Sequence, residues 1–161
     1  MISYILSISV AVLVVLGDQI SKYFIAANFE LYETAKFLPG LIDIVYIHNR
    51  GAAWGFLEGR TWLLIVFTAL IMLVAVFVLV KSYGKNRLFF WAVSLALSGG
   101  IGNLIDRIFR DGNVVDFMQF GFWKSFPVFN LADCAIVIGM GLLILYLFID
   151  TVKEYKSKKN G

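Results

Sequence analysis

One cysteine, one histidine and two prolines are all that this chain of 161 residues holds of those types. The lone Cys134 excludes an intramolecular disulfide. With His48 as the sole imidazole, a zinc site would draw most of its ligands from carboxylates, a poor donor set for that ion. No serine–histidine or cysteine–histidine arrangement stands out, and there is no glycine-rich phosphate loop or H-E-x-x-H helix. Charge is scarce as well: 16% of residues are charged against 60% hydrophobic, with a mean hydropathy of +0.84. That balance excludes an ordinary soluble domain. The small positive excess needs no nucleic acid, since a polybasic stretch beside a span is explained by anionic lipid headgroups.

What is present is length without charge. Uncharged runs cover 2–17, 61–80, 88–105 and 134–149. A helix needs about 20 apolar residues to cross about 30 Å of hydrocarbon. The middle two runs nearly suffice alone. The first has to extend through Asp18, Gln19, Ser21 and Lys22, and the last backward through Asp133, so polar groups fall inside those spans. The expectation is one integral membrane domain over 1–161, mainly α, with four transmembrane helices near 3–27, 61–80, 88–106 and 130–150. The N-terminus has no basic region before its apolar run and no small-residue cleavage site after it, which predicts a retained first span.

With four spans, both termini share a side with the short loop KSYGKNR, and Lys81, Lys85, Arg87, Lys153, Lys156, Lys158 and Lys159 gather there. Dense basic residues close to span ends predict cytoplasmic termini. The two longer connections then face outward together. FLPGLIDIVYI (37–47) has a Pro-Gly turn followed by β-branched and aromatic residues, and NVVDFMQFGFW (113–123) is similarly strand-prone. A small sheet built from both outer loops is expected on the outer surface.

Polar residues within or beside the spans require a reason, because an ionised side chain at the bilayer centre costs about 2.5–3.5 kcal/mol even on lenient scales. Asp18 and Lys22 stand at i, i+4, the spacing of an ion pair; structural pairing is the favoured reading and substrate positioning the other. Asn103, Asp106 and Arg107 close the third span. Arg107 can be read as snorkelling to headgroups, whereas Asn103 is an amide a full turn deeper. Asp116, between Val115 and Phe117, would by strand alternation face away from its apolar neighbours, onto a solvated face or into a site. Asn130 and Asp133 have the spacing of an N-cap and an acid at N3, so a structural cap competes with catalysis. In HNRGAAWG (48–55) the small residues Gly51 and Ala52 permit close backbone approach. With other chemistries excluded, carboxylates remain. Two of them at a partly desolvated membrane edge share a proton and can activate water.

Taken in order, Asp18-Gln19 with Lys22, Asn49-Arg50-Gly51-Ala52-Ala53-Trp54, Gly102-Asn103-Leu104-Ile105-Asp106-Arg107, Val114-Val115-Asp116-Phe117 and Phe129-Asn130-Leu131-Ala132-Asp133 resemble the motif set of the bacterial lipoprotein signal peptidases, signal peptidase II. Each motif is weak alone; five in sequence on four spans are specific. The resemblance implies a membrane aspartic endopeptidase of the bacterial cytoplasmic membrane. It would remove the signal peptide of diacylglyceryl-modified prolipoproteins just before the lipidated cysteine. It implies a catalytic dyad of Asp116 and Asp133, an extracytoplasmic β-cradle, cytoplasmic termini, no cofactor or metal, and sensitivity to globomycin-type peptide inhibitors. Asp18, Lys22, Asn49, Gly51, Ala52, Asn103, Asp106, Arg107 and Asn130 are expected to bind substrate or support the dyad, in a monomer surrounded by membrane lipids. Asn49, Asn103, Arg107 and Asn130 are the donors available to a developing oxyanion. Two rivals differ in placement and tolerance. A small transporter would carry its polar groups near mid-span. A scaffold using Gly99, Gly100, Gly139 and Gly141 for partner helices would tolerate loss of both aspartates.

Overall fold

A computed structural model of the chain describes residues 1–51, 57, 59–84 and 86–160. Ala52, counted among the supporting residues above, and Trp54 lie outside the described residues. Four helices dominate: α1 (Ile2–Asn28), α2 (Thr61–Lys81), α3 (Arg87–Phe109) and α4 (Leu131–Asn160). All are long and apolar enough to cross a membrane. Valine and isoleucine, which disfavour helices in water, abound in them; in lipid the unpaired backbone is the larger cost, so the helix wins. α4 continues about ten residues past the span expected for it, because the basic stretch from Lys153 to Lys159 prolongs the helix instead of ending it.

Between the helices run three strands, β1 (Thr34–Leu38), β2 (Ile42–Asn49) and β3 (Val114–Phe120), in one antiparallel sheet of order β1-β2-β3. Both connections contribute, as their strand-prone sequences predict. β1 is the addition: TAKFL is mostly exposed and carries little pattern, and it is placed by the hairpin turn at Pro39-Gly40, where Gly40 has φ 77°. Gly121 packs directly on that turn, with room for no more than its hydrogen, since a Cβ there would stand 3.0 Å from the Gly40 carbonyl carbon.

The sheet lies at the end of the bundle formed by the C-termini of α1 and α3 and the N-termini of α2 and α4. A cluster of Ile25, Tyr46, Val115 and Phe117 joins it to α1. At the opposite end Tyr4, Tyr83 and Phe90 pack their rings together, tying α1, the end of α2 and the start of α3. α3 and α4 approach to backbone contact. A Cβ on Gly99 would lie 2.1 Å from the Ala132 carbonyl oxygen, and one on Gly139 would lie 2.5 Å from the Ala96 nitrogen. Two of the glycines considered for partner helices therefore serve packing within the chain.

Candidate active site

The device that starts α4 also aims polar side chains inward. Asn130 is the N-cap of α4: its Oδ1 accepts from the Asp133 backbone N–H (2.9 Å), while its own N–H donates to Asp133 Oδ2 (3.1 Å). That is a reciprocal capping box with aspartate in the N3 place. It fixes the Asp133 carboxylate at the positive end of the helix dipole. The remaining Asn130 group, Nδ2, donates to Asp116 Oδ1 (2.6 Å) and to Asn103 Oδ1 (3.0 Å). One asparagine thus touches both aspartates.

Asp116 is 1% exposed. Alternation along β3 left it a solvated face or a site; the structure removes the first alternative, since Val115 and Phe117 on the other face are buried too. A strand covered on both sides has no wet face. Asn49, the last residue of β2, donates to Asp116 Oδ2 at 2.8 Å. Burial, and after it the charge on Asp133, push the Asp116 pKa up to about 7, against the lowering effect of hydrogen bonds from Asn49 and Asn130 and of the Lys22 charge.

Asn103 completes the ring by donating to Asp133 Oδ1 (2.8 Å). One turn on, Arg107 does not reach outward to headgroups as a span-terminal arginine would. Its Nη2 donates to the Gly51 carbonyl at 3.0 Å, and Gly51 is itself held by the Asn49 side chain (2.9 Å). The competing attraction is the backbone carbonyl of a buried glycine, which needs a donor. Arg107 Nε is buried and has no hydrogen-bond partner among the described residues.

Below these groups lie three fully buried charged side chains, Asp18, Lys22 and Asp106, with the part-buried Gln19 beside them. Lys22 Nζ contacts Asp18 Oδ2 (2.9 Å), Asp106 Oδ2 (3.1 Å) and Asn103 Oδ1 (3.0 Å). The i, i+4 pairing of Asp18 with Lys22 is present and widened by Asp106 from α3. Gln19 is a contributor that the spacing argument passed over: its Nε2 reaches Asp18 Oδ2, the Gly102 carbonyl and Asp106 Oδ1 at 3.1–3.2 Å. Its signal was the same as that of Asn103, an amide inside a span.

Asn49, Gly51, Asn103, Arg107, Asp116 and Asp133 line one cavity of about 720 Å³, whose other walls are apolar, including Leu64, Phe120, Pro127, Phe129 and Ile136. His48 bonds Tyr46 Oη (2.8 Å) and is not among the cavity-lining residues. An apolar chamber lined by two carboxylates and a guanidinium suits acid–base chemistry on an apolar substrate.

Comparison with known proteins decides the family. The family model described as signal peptidase (SPase) II matches residues 10–149. The chain belongs to the signal peptidase II family. It is 41% identical to the lipoprotein signal peptidase of Enterococcus faecalis over 144 residues, 89% of this chain and 88% of that one. With the lipoprotein signal peptidase of Halalkalibacterium halodurans it shares 39% over 150 residues, 92% and 96% of the two chains. Two solved structures, each described as a bacterial membrane enzyme determined by the in meso method, superpose with TM-scores of 0.77 and 0.80. Both are 37% identical to this chain, covering 90% and 88% of it and 88% and 91% of their own lengths. The protein is accordingly a multi-pass membrane peptidase.

Proposed function

We propose that Asp116 and Asp133 are the catalytic dyad of this signal peptidase II, and that it cleaves diacylglyceryl-modified prolipoproteins immediately before the lipidated cysteine. The observation that carries the reading is the shared environment of the two acids. One asparagine bonds both, both line the same apolar cavity, and the Asp116 pKa of about 7 leaves it able to hold a proton at neutral pH. Asp133, at the positive end of the α4 dipole, is taken as the ionised partner.

In the proposed cycle Asp133 takes a proton from water as the oxygen attacks the scissile carbonyl carbon. Asp116 gives its proton to the carbonyl oxygen, producing a neutral gem-diol. As the C–N bond breaks, the amine leaves with the proton from Asp133, and one gem-diol hydroxyl returns a proton to Asp116. The dyad ends as it began, with one proton. Such acid–base work contributes about 10²–10⁴ in rate. The remaining demand is for a donor toward the carbonyl oxygen. Asn49, Asn103 and Asn130 already spend amide N–H groups on the two aspartates, so Arg107, whose Nε has no partner among the described residues, fills that role. The apolar walls receive the lipid chains and the signal-peptide side chains, and globomycin-type cyclic peptides compete for the same chamber.

Placement at the outer face of the cytoplasmic membrane is supported by the basic loop and tail at the far end of the bundle, which favour a cytoplasmic position. All the named side chains come from one chain, so a monomer has a complete site. The test is cleavage of lipidated and unlipidated precursor side by side by the purified protein. Asp116→Asn and Asp133→Asn should each lower turnover at least about 10³-fold while leaving the protein inserted. Full activity in either variant refutes the dyad, and equal cleavage of the two precursors refutes the lipid requirement.

A further inference from the structure

Three ionised groups sealed from solvent are an expensive way to hold helices together, because well-packed apolar residues often do so as well or better. Asp18, Lys22 and Asp106 are each 0% exposed. Their bonds point at something more specific than helix pairing. Asp18 Oδ1 accepts from the backbone N–H of Ala132 at 2.9 Å, the residue before Asp133. Asp106 Oδ2 accepts from the backbone N–H of Val115 at 3.0 Å, the residue before Asp116. Each dyad candidate is thus preceded by a peptide group gripped by a buried carboxylate. The Lys22 ammonium bonds both carboxylates and uses its third donor on Asn103, which in turn bonds Asp133. Space is reserved for the grip, since a Cβ on Gly102 would stand 2.6 Å from Asp18 Oδ2.

We propose that Lys22, acting through Asp18 and Asp106, is a positioning residue that sets the separation of Asp116 and Asp133. The proposal rests on the dyad reading above. The lysine touches neither the cavity nor the reacting atoms; it fixes the peptide group one residue upstream of each acid. One cation serving both arms couples them, so displacement of either arm loosens the other.

Among the described residues, the ionisable groups near the dyad are Asp18 and Lys22 from α1, Asp106, Arg107 and Arg110 from α3, Cys134 from α4, which lines the same cavity, and the two acids themselves. Among these the Lys22 charge favours ionised Asp116, so its removal should also raise the alkaline limb of the activity profile.

The experiment measures kcat, KM, the pH profile and thermal unfolding of Lys22→Met and Asp18→Asn, with lipidated precursor, beside Asp116→Asn and Asp133→Asn. A misplacement of about 1 Å at a reacting group costs on the order of 100-fold. Lys22→Met should therefore lose about 100-fold in kcat with KM changed less than about twofold, and its alkaline limb should move up. Asp18→Asn leaves the ammonium paired with Asp106 and should lose about tenfold in kcat, since one arm alone is weakened. It is the decisive variant if Lys22→Met does not fold. Wild-type kcat in a folded variant overturns the proposal. So does a lower kcat for Lys22→Met with an unmoved pH profile, which is what a smaller folded fraction gives, and so does failure of both variants to fold. Activity in the Asp116 and Asp133 variants would instead refute the dyad reading, whatever Lys22 does.

Discussion

Helices α2 and α3 are of similar length and follow one another in the chain, yet they treat their residues in opposite ways. α2 buries Leu64 alone. α3 buries nine residues, among them Ser94, Ser98, Gly99, Gly102, Asn103 and Asp106. In water the apolar side of a helix seeks the protein interior; in lipid the driving force between helices comes from close packing and interhelical hydrogen bonds, which favour small and polar residues at contacts. The apolar side chains of α2 need only lipid around them, and the apparent defects of α3 are its contact face. The more uniformly hydrophobic helix is the one that does least for the site.

If that contrast is right, substitutions should matter in proportion to how far they are from the uniform helix. Beyond the dyad itself, the largest effect should come from Arg107→Met, which removes the guanidinium from the cavity wall; loss of one such donor costs about 10²–10³ in kcat, read in the lipidated-precursor assay. A smaller KM effect with a near-normal kcat would assign Arg107 to substrate binding instead. Next come two neighbouring glycines of α3. Gly99→Ala meets the Ala132 backbone oxygen and should destabilise by about 1–3 kcal/mol, seen as a lower unfolding temperature. Gly100→Ala finds only the Met72 side chain, at 3.5 Å, and should be tolerated. Equal outcomes at the two positions would break the comparison.

The third expected effect is a change in pH dependence. With Asp116 as the acid of the proposed dyad, activity should fall as pH rises through the pKa of that group, about 7. The hydrogen bond from Asn49 favours the ionised form, and Asn49→Ala should therefore move the alkaline limb upward; a downward move would mean that another group sets the limb. Smallest of all, Val74→Ala on the exposed face of α2 should leave kcat/KM within about twofold, in line with substitutions away from packed or paired positions.

Much of this was legible without coordinates, for physical reasons that can be named. Charge avoidance marks the spans, because the bilayer penalises nearly every alternative. The capping relation of Asn130 to Asp133 is local and was readable from a three-residue spacing. The burial of Asp116 was not, because alternation tells which residues share a face and not whether that face is covered. Strand β1 was missed for want of pattern in TAKFL, whose position is set by its partner. The inward turn of Arg107 and the bond from Asp18 to the Ala132 N–H were beyond reach as well, since a backbone carbonyl or N–H waiting elsewhere in the fold leaves no mark on the sequence of side chains.

The bond from Asp18 on the first helix to the Ala132 N–H at the head of the last has a consequence for how the protein comes into being. A polypeptide threaded into the bilayer from its N-terminus has Asp106 and Asp116 in place once the third helix and its strand have entered, but holds no second acid. On the proposed dyad, hydrolytic power arises only when the final segment arrives and meets the first, so truncated or half-inserted chains should be inert and a nascent protease should not attack its neighbours before it is whole.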